Sequence, residues 1–115
     1  MTLEEIVRAY FDAWNRLAVD DVVAYFTVDA AWINGHLGRF SGHDEIRKAV
    51  EGYVRDATYA NHEILNLAIV ENVVLTERVD HWVIAGRKID LPVMGAFEIA
   101  GNKISAWRDY FHLSE

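Results

Sequence analysis

The chain has 115 residues, 52% hydrophobic and 25% charged, with one proline, seven glycines, no cysteine and a formal charge of −7. That is enough for a single domain, 1–115, with one sizeable core; it leaves little room for a disordered tail and excludes a disulfide framework and thiolate chemistry. The eleven Lys and Arg residues are scattered without a basic stripe, so neither nucleic acid nor an anionic membrane surface is an expected partner, and anionic substrates are weakly disfavoured.

The first residues, MTLEEIVRAY, are acidic and amphipathic, unlike a signal peptide, and nothing approaches transmembrane length. A soluble, cytoplasmic protein is expected. Thr2 and Glu5 form a capping box, and Leu3, Ile6, Val7, Tyr10, Phe11, Trp14 and Leu17 follow at helical spacing, predicting one long helix with an aromatic face. Asp20 and Asp21 open a short helix carrying Val22, Val23 and Phe26. AAWIN at 30–34 reads as a brief strand before a glycine-containing loop, GHLGRFSG. Ser41 is placed to cap a third helix, whose apolar positions Ile46, Ala49, Val50, Tyr53 and Val54 again recur at three and four.

From about Thr58 the period becomes that of strands, in four runs separated at Glu71-Asn72, Gly86-Arg87 and Gly101-Asn102, which are hairpin signals. Helices first and an antiparallel meander after them indicate an α+β domain, its curved sheet wrapping around the N-terminal helices. Several strands are apolar on both faces, with Val73, Leu75, Val79 and Val83 opposite Val74, Trp82 and Ile84. Helices can cover only one face, so the other is expected to meet a second subunit as a homodimer.

Within VVLTERVDHW, Arg78 and Asp80 share a strand face with Val74, Thr76 and Trp82. Within AWRDYF, Asp109 shares a face with Ser105, Trp107 and Phe111. These two stretches are read as neighbouring strands, so that one guanidinium can satisfy two carboxylates, and such a cluster can make one acid a base and keep the other protonated. By spacing alone, an Arg-x-Asp pair on a strand is more often a solvated ion pair. The five histidines, His36, His43, His62, His81 and His112, form no H-x-x-x-H or H-x-H arrangement, so no metal site is expected. His81 alternates away from Asp80, toward a partner subunit or solvent. Serine hydrolase, kinase and dehydrogenase motifs are absent.

VLTERVD, then LPVMGAF at 91–97 and GNKISAWRDYF at 101–111, with a short piece from Trp32 to Asn34, resemble the limonene-1,2-epoxide hydrolase family of the NTF2-like, or SnoaL-like, cone fold. The close match covers roughly 74–113. The resemblance implies an NTF2-like cone, with three N-terminal helices packed in a curved mixed, mostly antiparallel sheet. It also implies one-step addition of water to an epoxide, giving a diol without metal, cofactor or covalent intermediate. On the matching positions Asp109 is the base that deprotonates water, Asp80 the acid that protonates the epoxide oxygen, Arg78 the bridge, and Asn34 a holder of the water. Two protons must move in one closed site, and each well-placed transfer is worth on the order of 10²–10⁴ in rate.

The sequence departs from the family at two points. Trp32 stands where the family has a tyrosine, offering one indole N–H and no acceptor; it is expected to act as a catalytic residue by donating to the water, less effectively than the tyrosine. The sequence also ends a few residues after WRDYF, where the family continues into a segment that helps close the pocket, so the resemblance does not account for closure. Matching position and strand parity select Trp82, Leu91, Val93 and Phe111 as the apolar wall, which suits a hydrophobic, uncharged epoxide. Two other readings use the same fold. One is a SnoaL-like polyketide cyclase or ketosteroid-isomerase-like enzyme, with Asp109 or Asp80 as a carbon-acid base; the other is a non-catalytic ligand-binding or dimerisation module.

Overall fold

The computed structural model describes residues 1–113. Ser114 and Glu115, on which the question of C-terminal closure bears, lie outside the described residues. Three helices, α1 (Leu3–Asn15), α2 (Val19–Ala24) and α3 (Gly42–Val54), accompany six strands: β1 (Phe26–Asn34), β2 (Gly38–Ser41), β3 (Ala57–Val70), β4 (Val73–Ile84), β5 (Arg87–Ala100) and β6 (Lys103–Tyr110). The strands form one sheet in the order β2-β1-β6-β5-β4-β3. Only β1 and β6 pair in parallel; the other neighbours are antiparallel.

The Thr2–Glu5 capping box starts α1 as the spacing predicts, with Thr2 Oγ1 accepting from the Glu5 N–H at 3.1 Å and Glu5 Oε1 accepting from the Thr2 N–H at 2.8 Å. The helix ends at Asn15, two residues short of Leu17, which takes a left-handed conformation (φ 56°) and turns the chain toward α2. Phe26 belongs to β1, not to the short helix. The strand expected at 30–34 is longer, and the expected loop contains β2, whose four residues hydrogen-bond to β1. Too short to show a period, β2 is made a strand by its neighbour. Ser41 is the N-cap of α3, but its side chain makes no capping bond; its backbone N–H donates to Glu45 Oε1 at 2.9 Å instead. The second hairpin turns at Ala85-Gly86, both at positive φ, one residue earlier than expected, and Arg87 opens β5.

The helices bury one sheet face around Ile6, Tyr10, Phe11, Trp14, Val22, Phe26, Ile46, Val50, Val74, Phe97, Ile104 and Trp107. An extra residue at Ser105, between the Glu98–Ala106 and Ile99–Ile104 pairs, brings Ile104 into this core. The two-residue alternation running back from Asp109 breaks at this bulge, so that Ile104 rather than Lys103 is buried; the Ser105 hydroxyl donates to the Glu98 carbonyl. On the opposite face Leu75, Met94 and Tyr110 are exposed. His81 also lies there, between Asp90 (2.6 Å) and Glu63 (2.9 Å). No described helix is long and apolar enough to cross a membrane.

Candidate active site

Arg78 and Asp80 lie on β4 and Asp109 on β6. The two strands are not the neighbours that a direct fork between them suggests, because β5 runs between them. The cluster closes across β5 because the intervening position on that face is Gly95, which pairs with Thr76 on one side and Asp109 on the other. A Cβ there would come within 2.5 Å of both Arg78 Nη1 and Asp109 Oδ1. The missing side chain is the channel through which the guanidinium reaches the far strand.

The guanidinium donates in five directions. Nε bonds Asp80 Oδ1 at 3.0 Å and Nη2 bonds Asp80 Oδ2 at 2.9 Å. A second fork reaches Asp109, from Nη1 to Oδ1 at 3.2 Å and from Nη2 to Oδ2 at 2.9 Å, and Nη1 also donates to Thr76 Oγ1 at 2.9 Å. These bonds use all five N–H groups. The Phe11 ring lies 4.5 Å from the guanidinium carbon, adding a cation–π contact within the buried core. Burial opposes the Arg78 charge, but the two carboxylates outweigh it and raise its pKa.

One cation facing two carboxylates leaves the buried cluster one negative charge in excess when both are ionised, which favours holding a proton. Burial pushes Asp109 up to about 6; Arg78 and a bond from the Trp107 indole N–H (2.8 Å) pull the other way. At neutral pH Asp109 is therefore ionised yet far more basic than an exposed aspartate.

A cavity of about 230 Å³ opens above the cluster. Asp80, Asp109, Asn34 and His62 supply its polar lining; Trp82, Leu91, Val93 and Phe111, selected by matching position and parity together, join Trp14, Trp32 and Trp107 in its apolar wall. Arg78 lies beneath these groups with its side chain fully buried. Asn34 pairs with Asp109 across the parallel β1–β6 ladder, so both reach the same end of the cavity. The Trp32 indole N–H is buried and bonds no described residue, while its ring stacks on Trp107 at 4.8 Å.

Four contributors escape the sequence reading. Gly95 and Thr76 are visible as letters, but their importance needs the strand order. Tyr53 reads only as an apolar position of α3, whereas its hydroxyl accepts from Asn34 Nδ2 at 2.8 Å and its ring lines the cavity. His62, on β3, places Nε2 3.9 Å from Asp80 Oδ2. Among the described residues no His, Asp or Glu cluster could hold a metal ion.

Among solved structures, the chain is similar to an epoxide hydrolase from M. tuberculosis described as LEH-like, at 26% identity and a TM-score of 0.84, covering 94% of this chain and 80% of that one. A protein of ketosteroid isomerase-like fold from Catenulispora acidiphila, solved with trimethylamine, has a TM-score of 0.87 at 20% identity over 96% and 87% of the two chains. A SnoaL-like polyketide cyclase homologue from Shewanella putrefaciens has a TM-score of 0.83 at 13% identity over 96% and 90%. The latter two establish the expected NTF2-like, SnoaL-like α+β fold. The family model for the limonene-1,2-epoxide hydrolase catalytic domain matches residues 2–115, and the chain belongs to that family.

Proposed function

We propose that this protein is an epoxide hydrolase that adds water to a hydrophobic, uncharged epoxide in one step, giving a vicinal diol. The observation that carries the reading is the Arg78 double fork holding two carboxylates at the floor of an aromatic cavity. An epoxide carbon accepts water readily only if water loses a proton and the ring oxygen gains one. Asp109 takes the proton from water as the new C–O bond forms. The ring C–O bond breaks, its electron pair stays on oxygen, and that oxygen takes the proton of Asp80. The cycle closes when Asp109 returns a proton and Asp80 regains one.

Hydrogen bonding supports this division of labour. Asp109 accepts three bonds, two from Arg78 and one from Trp107, whereas Asp80 accepts two. Donors favour a carboxylate's ionised form, so the better-supplied group is the better candidate for the resting base. Asn34 and Tyr53 hold the water beside Asp109: the Asn34 amide N–H is engaged by the tyrosine, leaving its carbonyl and the tyrosine O–H for water. Trp32 then serves as wall.

Carbon-acid chemistry of the cyclase or isomerase kind would need donors for an enolate oxygen, and every Arg78 N–H is already spent on Thr76 or a carboxylate. The test is incubation with terpene, cyclic and styrene-type epoxides in oxygen-18 water. Wild type is expected to give singly labelled diol, and Asp109→Asn and Asp80→Asn to lower the rate by at least about 10²-fold. Absence of diol across the panel would refute the reading.

A further inference from the structure

His62 is a buried titratable group to which the reaction above assigns no role. It sits on β3 opposite Asp80 in the β3–β4 ladder, so both side chains face the cavity. Its ring stacks on Phe11 at 4.9 Å and meets Trp82 edge-on at 5.5 Å. Its protonation can be deduced from one atom, Asn15 Oδ1. That atom lies 2.8 Å from the His62 backbone N and 2.8 Å from His62 Nδ1. A backbone N–H can only donate, so the asparagine atom it meets is the carbonyl oxygen and not the amide nitrogen. A carbonyl oxygen can only accept, so Nδ1 carries a hydrogen. Burial lowers the His62 pKa to about 4, so the ring is neutral near pH 7 and Nε2 presents a bare lone pair. Nε2, which carries that lone pair, lies 3.9 Å from Asp80 Oδ2.

We propose that His62 is a positioning residue that selects Asp80 as the acid, because its fixed lone pair favours the protonated form of the facing carboxyl. The proposal rests on the epoxide-hydrolase reading for its catalytic meaning, though not for its chemistry. With Asp80 ionised, two lone-pair atoms oppose each other inside the protein. With a proton on Oδ2 they become donor and acceptor, and a small side-chain adjustment closes the gap to hydrogen-bond length. Oδ2 retains capacity to accept from Arg78 Nη2 when protonated. The remaining charged influence on Asp80 is the shared guanidinium and, through it, Asp109 on β6. His81, its chain neighbour, lies on the other face between Asp90 and Glu63. Helix α1 contributes Phe11, Trp14 and the Asn15 amide around His62, and β5 contributes the apolar Leu91 opposite Asp80. The site thus gives its two acids unlike company: extra donors at Asp109, an acceptor at Asp80.

The direct test is nitrogen-15 NMR of wild type, in which His62 must be neutral with Nδ1 protonated and Nε2 bare; protonation at Nε2 overturns the proposal. A second test follows the Asp80 carboxyl by carbon-13 NMR, assigned with Asp80→Asn, in wild type and His62→Phe. Phe preserves the aromatic stacking and the backbone bond to Asn15. The Asp80 carboxyl is expected to lose its proton more readily in the variant, and the alkaline limb of the diol-formation profile to move about one unit toward lower pH. Asn15→Asp, which stabilises an imidazolium and turns Nε2 into a donor, should move both in the same direction. An unchanged Asp80 titration in both variants refutes the role of His62 and leaves the hydrolase reading intact. A shifted titration in a protein that opens no epoxide refutes the hydrolase reading and leaves the His62–Asp80 coupling established.

Discussion

Replacing Gly95 by Ala puts the greatest demand on this geometry for the smallest chemical change. The new methyl would lie 2.5 Å from Arg78 Nη1 and Asp109 Oδ1 and 3.2 Å from Thr76 Oγ1, where ordinary contact begins at 3.4 Å. The overlap with the ion pair is about 0.9 Å, and neither partner is free to swing away: both side chains are buried, and Arg78 is held by five hydrogen bonds. A retreat of that size by Nη1 opens its 3.2 Å bond to Asp109 Oδ1 beyond hydrogen-bond range. Overpacking of this kind costs roughly 1–3 kcal/mol, and partial separation of a buried ion pair adds to it. We therefore predict destabilisation of about 2–4 kcal/mol, read as a fall of roughly 10 °C or more in Tm, with turnover lowered about 10²-fold by a displacement near 1 Å. Gly52→Ala is the control. Gly52 lies in α3, and a methyl added there meets nothing within 4 Å, so Ala should raise stability by up to about 1 kcal/mol. Chemical denaturation and diol-formation assays on the two variants decide the matter. A Gly95→Ala protein as stable and active as wild type would refute the reasoning that the cluster closes through the space at that position.

Further predictions concern the water, the pocket and pH. Tyr53→Phe removes the acceptor of the Asn34 amide; we expect diol formation to fall about tenfold with stability changed by roughly 1 kcal/mol, and an unaffected rate would exclude Tyr53 from holding the water. Trp82→Leu widens the cavity wall and should improve turnover of bulky epoxides relative to small ones; competition between two substrates of different size measures this, and an unchanged ratio would refute it. For pH, Asp109 rises from 3.8 to about 6 on folding, so the folded state holds the extra proton, and the stability this confers is present below about pH 4 and lost as pH rises through 6. His62 falls from 6.5 to about 4, so its contribution is present above pH 6.5 and lost as pH falls toward 4. Each is on the order of 3 kcal/mol with opposite sign, and in wild type they offset one another over this window. Melting between pH 4 and 6.5 should therefore show stability falling with rising pH in His62→Phe relative to wild type, and rising in Asp109→Asn. Identical slopes in all three proteins would contradict this account.

Local pattern made much of the molecule legible. The capping box and the apolar spacing of residues 6–14 specify α1 because helix nucleation and amphipathicity are local properties. The long strands from residue 57 alternate clearly enough that parity, together with matching position in the family, places Trp82, Leu91, Val93 and Phe111 on the cavity side. Parity breaks at Ser105, where one extra residue reverses the faces and no letter announces it. It was silent on β2, whose four residues become a strand only by pairing with β1.

By itself the sequence determined the three helices, the meander and the presence of two acids and an arginine on strands, since each follows from spacing along one stretch of chain. Tertiary structure alone decided the strand order, and with it the relation between the acids and the arginine. It placed β5 between β4 and β6, made Gly95 the opening through which Arg78 reaches Asp109, and brought Tyr53 from α3 to Asn34. It also set His62 against Asp80 through Asn15, a residue 47 positions away along the chain. Distances between groups on different elements depend on how those elements pack, and no periodicity along the chain encodes them.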